Sequence, residues 1–176
     1  MSSAFRKFRA DLALDLKASS GDESAGIKLS YLFHAGFQAL LFYRLARMFF
    51  ASNALILAKA MTALGRFVTS CDLHYRAEIA GGVNLPHGRG VVIGEGVKIE
   101  KRCSIFQHAS LGSLEGKEGY PRLEEGVNVY PGTVVAGSVK VGEYSRVGPN
   151  VYLTVSVPKH TRVTPSKPHI QRVHYE

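Results

Sequence analysis

The sequence predicts a mainly β protein, a parallel β-helix preceded by an α-helical N-terminal segment. Apolar residues recur every six residues over most of 73–157, a small or aliphatic residue follows four places later, and glycines fill many turns. An α-helix would need spacings of three and four, and a flat strand would need strict alternation. Short strands at six-residue intervals instead fit a prism-shaped solenoid, because a β-sandwich has no reason to keep one phase through so many units. The first series comprises Leu73, Ile79, Leu85, Ile93, Ile99, Ile105, Leu111, Leu123, Val129, Val135, Val141, Val147 and Leu153.

Three stretches before the repeats carry apolar residues at helical spacing. Residues 4–17, 29–50 and 53–68 are each predicted to form a helix. Ser52 and Asn53 precede the third stretch and provide a capping pair for it.

The chain of 176 residues is therefore divided into three parts: an N-terminal helical segment (1–68), a β-helix (69–163) and a C-terminal basic tail (164–176). Its formal net charge is +8, which suits a phosphate-bearing ligand, an acidic polymer or a membrane surface. Nucleic acid is not expected as a partner, because the basic residues are scattered and no nucleic-acid-binding motif occurs.

The two cysteines form no disulfide framework. Cys103 falls on an inward position of the repeat and is predicted to be a small core residue. The N-terminus lacks the apolar region of a signal peptide. A reducing, cytoplasmic setting is therefore expected.

The stretch 31–50 is apolar enough to raise the question of a membrane. Four polar side chains interrupt it, so it is not expected to span a bilayer. Two alternatives remain: it packs on a neighbouring helix or subunit, or it makes peripheral contact with the inner face of a membrane through Arg47, Phe49 and Phe50.

The six-residue spacing is broken at two places. The step from Leu85 to Ile93 is eight residues long and contains His87, and residues 112–122 replace one unit with a polar loop. Regular scaffolds place function where the repeat is interrupted. The two breaks are therefore the predicted site of any chemistry.

A set of short segments along almost the whole chain forms a specific combination. The segments are Phe37-Gln38-Ala39-Leu40 with Tyr43-Arg44, Asp72-Leu73-His74, His87-Gly88, Gly90-Val91-Val92-Ile93-Gly94-Glu95, Gln107, and Leu111-Gly112. On these residues the chain resembles the serine O-acetyltransferase branch of the hexapeptide-repeat acyltransferases, and within it the short exopolysaccharide enzymes of the colanic-acid type. The resemblance implies a left-handed parallel β-helix, usually a homotrimer, with acetyl-CoA in the groove between neighbouring prisms.

The family's catalytic histidine matches His87. Attack of an alcohol on a thioester needs its proton removed as the C–O bond forms, and a neutral imidazole can accept that proton. Asp72 matches a family aspartate and would orient the acceptor or the imidazole, unless it is only a turn residue. His74 and His108 are the other histidines considered for catalysis.

The resemblance also indicates binding residues. Those predicted for the acceptor are Gln107, His108 and Tyr120. Those predicted for acetyl-CoA are Gly112, Ser113, Pro131, Pro149 and, for a phosphate, Lys167. Pro131 and Pro149 offer no N–H, so hydrogen bonds there must come from carbonyls or neighbours. No metal is expected, because the histidines form no ligand set with carboxylates or thiols.

Three departures from the family bear on the acceptor. Pro86 replaces an aspartate before the histidine, the loop at 118–121 lacks an Arg-His-Pro run, and the helical segment is short. An amino-acid carboxylate needs a cation, which only Lys117 or Arg122 could supply there. These departures favour a sugar of a surface polysaccharide, or its lipid-linked precursor, as acceptor, with Tyr120 stacking on the ring. The alternative function is a serine O-acetyltransferase, which makes O-acetyl-L-serine for cysteine synthesis. A non-catalytic alternative is a β-helix scaffold that has lost its activity.

Overall fold

The computed structural model describes residues 3–20, 32–116 and 118–166. In this described part of the chain three helices come first: α1 (Ser3–Ser19), α2 (Ala35–Ala51) and α3 (Leu55–Thr69). The predicted helical segment is therefore confirmed, although α2 begins at Ala35 rather than near residue 29. Lys117 and Lys167, the latter a predicted phosphate ligand, lie outside the described residues.

The predicted cap of the third helix is wrong. Ser52 closes α2, since its N–H bonds the carbonyl oxygens of Met48 and Phe49, and Asn53 adopts a left-handed φ of 59°. The N-cap of α3 is Ala54, which has no side chain able to cap. Both polar residues are used by the tight connection between the helices.

Within the described residues, thirteen short strands follow and form three parallel sheets. Sheet A has the order β1-β3-β6-β9-β12, sheet B the order β10-β7-β4-β2, and sheet C the order β13-β11-β8-β5. The strands are β1 (Asp72–Leu73), β2 (Glu78–Ile79), β3 (Val92–Ile93), β4 (Lys98–Ile99), β5 (Ser104–Ile105), β6 (Ser110–Gly112), β7 (Arg122–Leu123), β8 (Asn128–Val129), β9 (Val134–Ala136), β10 (Lys140–Val141), β11 (Arg146–Val147), β12 (Tyr152–Leu153) and β13 (Arg162–Val163).

Each strand pairs with the equivalent strand of the next coil, so the repeat becomes a set of vertical ladders. On sheet A, Leu73 pairs with Ile93, Ile93 with Leu111, and Leu111 with Val135. All the residues of the first apolar series are buried in one continuous core. Burial of each such side chain stabilises the fold by about 1.5–3 kcal/mol. The predicted parallel β-helix is confirmed.

A buried ion pair fastens α1 and α2 to the first coil. The Arg44 guanidinium donates from Nε to Asp15 Oδ2 at 2.8 Å and from Nη2 to Asp15 Oδ1 at 3.1 Å. It also donates to the carbonyl oxygens of Ile79 and Ala80, while the N–H of Gly82 donates to Asp15 Oδ1 at 2.9 Å. Nearly every polar atom of the pair is thereby satisfied, as a buried charge requires.

Tyr43 adds a second polar contact beside this pair. Its hydroxyl donates to the carbonyl oxygen of Ala77 at 2.7 Å and accepts from the N–H of Ile79 at 3.1 Å. Burial raises the pKa of Tyr43, so the phenol stays protonated and able to donate. Together Tyr43 and Arg44 fix α2 against the open end of the β-helix.

The helical segment leaves an apolar surface on α3, not at the end of α2. Phe49 and Phe50 are half-buried against a small core cluster. On α3, by contrast, Ile56 is 84% exposed and Phe67 is 88% exposed. None of the described helices is long and apolar enough to cross a membrane.

Candidate active site

His87 lies in the widened corner that joins sheet C of the first coil to sheet A of the second, and its side chain is exposed. This C–A corner, which we define as residues 86–91, 106–109, 130–133 and 148–151, recurs in every coil. The N–H of Gly90 donates to the carbonyl oxygen of Ser70 at 3.0 Å. The extra residues thus push the imidazole outward while their backbone stays tied to the first coil.

The N-terminus of α2 packs directly on this loop. A Cβ added at Gly36 would collide with the carbonyl oxygen of Leu85, and one added at Gly88 would collide with the backbone of Gly36. The Cys71 thiol donates to the carbonyl oxygen of Gly88 at 3.2 Å. This support was not predicted from the sequence, where the glycine in the first turn of α2, Gly36, was the signal for it.

Aromatic rings continue from His87 down the same corner. The His87 ring lies 6.3 Å from that of Phe106, which stacks on Tyr130 at 5.2 Å and 8°. Gln107 and His108 occupy this corner in the second coil, and Gln107 Oε1 is buried with no hydrogen-bond partner in the described part of the chain. The structure therefore brings His87, Gln107 and His108 to one edge of the β-helix.

Two of the predicted acetyl-CoA residues follow on that edge. The N–H of Gly132 donates to the carbonyl oxygen of Gln107 at 3.1 Å, and the N–H of Asn150 donates to that of Pro131 at 2.9 Å. Pro131 and Pro149 consequently occupy equivalent positions in successive coils below Gln107. Both lie on the same edge as His87.

The other predicted binding residues occupy a different edge. Ser113 and Tyr120 lie at the A–B corner, defined as residues 94–97, 113–121 and 137–139, where sheet A turns into sheet B, and Gly112 is the last residue of β6, directly before that corner. A Cβ at Gly112 would meet no atom within 4 Å, whereas one at Gly96 would collide with the Tyr120 ring. Sheet A separates the two corners, so a single chain does not bring all the predicted site residues together.

Asp72 begins β1, next to the His87 corner. Its N–H donates to the carbonyl oxygen of Val91 at 2.8 Å, so its backbone is tied to the end of the His87 loop. Its carboxylate pairs with Arg66 Nη1 at 3.2 Å, and within the described residues it makes no hydrogen bond with His87. The role of Asp72 stays a prediction.

Other nucleophiles and ligands are poorly suited to the reaction. Burial raises the pKa of the Cys103 thiol to about 12 and also raises that of Cys71, so neither thiol is a ready nucleophile. Burial lowers the pKa of His74, whose ring stacks on Tyr75. Over residues 3–20, 32–116 and 118–166, no cluster of three potential metal ligands occurs.

Stacked coils of parallel strands with a histidine at a widened corner define a hexapeptide-repeat transferase, and residues 120–154 match the family model described as bacterial transferase hexapeptide (six repeats). A serine acetyltransferase of Helicobacter pylori is 34% identical over 139 residues, covering 77% of this chain and 81% of that protein. The chain belongs to the serine acetyltransferase family. This confirms the branch identified from the sequence.

Longer relatives and solved structures agree. A plasmid-encoded serine acetyltransferase of Synechococcus elongatus is 34% identical over 150 residues, covering 78% of this chain but only 47% of that protein. The chain thus spans about half of the length of that relative. A solved serine acetyltransferase in complex with CoA is 28% identical, with a TM-score of 0.80, covering 92% of this chain and 70% of that one.

The predicted sugar acceptor is wrong. The relatives and the solved structure described above are named serine acetyltransferases. The Tyr120 ring, which was expected to stack on a sugar, lies beside Gly96 at the A–B corner, on the other side of sheet A from His87.

Proposed function

We propose that this protein is an acetyl-CoA-dependent serine O-acetyltransferase. The observation that carries the proposal is the exposed His87 imidazole at the widened C–A corner of a chain belonging to this family. His87 accepts the proton of the serine hydroxyl as its oxygen attacks the thioester carbonyl. The acetyl group passes to that oxygen, the C–S bond breaks, and the imidazolium returns the proton to the CoA sulfur.

Direct transfer needs no acyl-enzyme intermediate. Neither Cys71 nor Cys103 has the lowered pKa that a thiolate nucleophile requires. Acetyl-CoA as donor is supported by the solved relative in complex with CoA. The proposed donor contacts are Pro131 and Pro149 on the His87 edge and, from the other corner, Gly112 and Ser113. Gln107 and His108 would contact the acceptor.

We further infer that Arg89 pairs with the serine carboxylate. It lies two residues after His87, is exposed, and has no ion-pair partner in the described part of the chain. Arg122, considered from the sequence, instead pairs with Glu100 at 2.9 Å on sheet B. An arginine fork can bind a carboxylate through two parallel hydrogen bonds.

The test measures thiol release from acetyl-CoA with L-serine, with O-acetylserine identified by mass spectrometry. His87→Ala should lower kcat at least about 100-fold, the usual contribution of a general base. The control is His160→Ala, since His160 stacks on Tyr144 at the opposite end of the β-helix. Near-full turnover by His87→Ala would refute the base, and no product with L-serine would refute the acceptor.

Division of the site between two corners supports a homotrimer in which the C–A corner of one subunit faces the A–B corner of the next. The outward side of sheet A carries apolar side chains between these corners. Val92 is 42% exposed and Tyr152 is 63% exposed. Light scattering on the purified protein tests the assembly. A monomer with full activity would contradict it, because one chain does not join the two corners.

The exposed face of α3 supports contact with an anionic membrane surface. Residues 32–71 contain no aspartate or glutamate, and the only charges on α3 are Lys59 and Arg66. Arg66 is paired with Asp72, but Lys59 has no ion-pair partner in the described part of the chain, and an apolar helix face beside such a cation suits anionic lipid headgroups. The test measures the fraction of protein that sediments with lipid vesicles. Phe67→Ser should lower this fraction with phosphatidylglycerol vesicles but not change the small fraction that sediments with phosphatidylcholine vesicles. Val155→Ser, which also removes an exposed apolar side chain, is the control. A Phe67→Ser variant that binds vesicles normally but changes its oligomeric state would overturn the proposal.

A further inference from the structure

Two arginines lie side by side on sheet C, and neither has a counter-ion within the described residues. Arg146 on β11 is in direct register with Arg162 on β13, and both side chains are exposed. Neither has a carboxylate partner among residues 3–20, 32–116 and 118–166. Like charges directly opposite one another on neighbouring strands are destabilising.

Sheet B shows the ordinary arrangement by contrast. Its outward cations Lys98, Arg122 and Lys140 each lie within 3.2 Å of a glutamate oxygen. The absence of such partners around Arg146 and Arg162 therefore leaves positive charge that an anion could neutralise.

The arginines line a pocket of about 280 Å³ whose remaining wall is mostly apolar. The wall is formed by Tyr130, Gly148, Pro149, Val163, Thr164 and Pro165. An apolar wall beside two guanidinium groups matches a nucleotide, which has an aromatic ring and anionic phosphates.

The pocket lies in line with His87. Tyr130, which lines it, stacks on Phe106 below the His87 ring. From the first coil to Arg146 there are three coil intervals, given by the successive pairs Asn84–Ser104, Ser104–Asn128 and Asn128–Arg146. At about 4.8 Å per interval the offset is about 14 Å, and Arg162 adds another interval to make about 19 Å.

This offset fits the geometry of CoA. The pantetheine arm has about twelve bonds between the sulfur and the first phosphate ester oxygen, which is the length of about four residues of extended chain. At about 3.3–3.6 Å per residue it spans about 13–14 Å. A thioester held beside His87 therefore places the phosphates near Arg146 and Arg162.

We propose that Arg146 and Arg162 together bind the phosphates of the 3′,5′-ADP portion of acetyl-CoA. This inference rests on the proposed function, since it assumes that the donor's thioester lies at His87. The arginines discriminate donors that carry the nucleotide from donors that carry only the pantetheine arm. Each guanidinium keeps its charge throughout the useful pH range and offers several donors to phosphate oxygens.

The experiment compares ligands with and without phosphates. Calorimetry with 3′,5′-ADP and with CoA is performed on the wild-type protein, on Arg146→Ala/Arg162→Ala, and on Lys98→Ala/Lys140→Ala, which removes the same charge from sheet B. We expect the first double variant to bind both ligands at least about fivefold more weakly, an effect typical of two exposed charge pairs. The sheet B variant should bind as the wild type does. Turnover of acetyl-pantetheine, which lacks the phosphates, should be equal in all three proteins.

Two results would overturn the inference. One is an unchanged affinity of the sheet C variant for 3′,5′-ADP and CoA, and the other is an equal loss of affinity in the sheet B variant. Arginine-dependent CoA binding without acetylation of L-serine would instead support the inference while refuting only the proposed acceptor. The two failures are therefore distinguishable.

Discussion

Replacing Asp15 by alanine should destabilise the protein far more than its distance from the candidate active site suggests. The Asp15→Ala variant leaves the Arg44 guanidinium, whose side chain is 2% exposed, without its bidentate carboxylate. The N–H of Gly82 loses its acceptor too. The partner charge cannot be hydrated without opening the contact between α1, α2 and the first coil.

The size of the effect follows from these contacts. Removing one member of a buried pair costs about 3–5 kcal/mol, because the other charge stays buried and unpaired. The Asp11 carboxylate lies 3.5 Å from Arg44 and compensates part of that loss. For a chain of this length, about 3–5 kcal/mol corresponds to a fall in Tm of about 6–20 °C.

Thermal unfolding at a fixed protein concentration measures the effect, and the decisive comparison is with a double variant that lacks both charges. Asp15→Leu/Arg44→Met removes both charges and should be much less destabilised than Asp15→Ala. Glu100→Ala is the matched control, since it breaks an exposed arginine–carboxylate pair at 2.9 Å and should cost less than about 1 kcal/mol. An Asp15→Ala variant as stable as Glu100→Ala would refute the reasoning.

Two further predictions concern the loop and the thiols. Gly36→Ala should lower the free energy of unfolding by about 1–3 kcal/mol and also lower kcat, because the added Cβ displaces the carbonyl of Leu85 and with it the His87 loop. The control is Gly112→Ala, whose Cβ meets open space and should leave the Tm nearly unchanged. Equal Tm values for the two variants would contradict the close packing at Gly36. Cys103 should resist alkylation by iodoacetamide at pH 8, since a thiol of pKa about 12 is ionised there in only about one molecule in ten thousand. Mass spectrometry follows the alkylation. Rapid alkylation of the folded protein would show that the Cys103 thiol is accessible.

The β-helix could be predicted because its code is local. Each six-residue unit contains its own inward residue, so the inward positions of Ile93, Leu111 and Val135 can be predicted from the local repeat alone. The small or aliphatic residues four places later in the units are also buried, including the polar Thr133 and Ser145; they are Ala77, Val83, Val97, Cys103, Ala109, Val127, Thr133, Val139, Ser145, Val151 and Val157. The hydroxyls of Thr133 and Ser145 donate to backbone carbonyl oxygens at 2.6 and 2.7 Å, which makes that burial tolerable.

Long-range pairings could not be read in the same way. Asp15 and Arg44 are 29 residues apart with no periodic relation, and their contact depends on how two helices dock. Arg146 and Arg162 are separated by sixteen residues, because the last coil is shorter than the others. The pairing register of Arg146 with Arg162 therefore could not be predicted from the six-residue spacing.

The division of the candidate site between the C–A and A–B corners also could not be predicted from the sequence. Gln107 and Tyr120 are close in sequence, yet they lie on opposite edges of sheet A. A repeat pattern identifies which residues point outward but not which corner a loop extends, since that depends on how many residues complete each turn. The sugar acceptor was inferred from departures such as Pro86 and the loop at 118–121, and these do not indicate the corner at which Tyr120 lies.

The vertical ladders also constrain how such a gene can change. One residue gained or lost within a side of the prism would reverse the inward and outward sense of that side and break its match with the coil above. Extra residues are accommodated at 86–91 and 113–121, where the six-residue spacing of the repeat is already broken. Insertions and deletions in descendants should collect at those two bends, so the chemistry could diverge while the stacked coils stay constant.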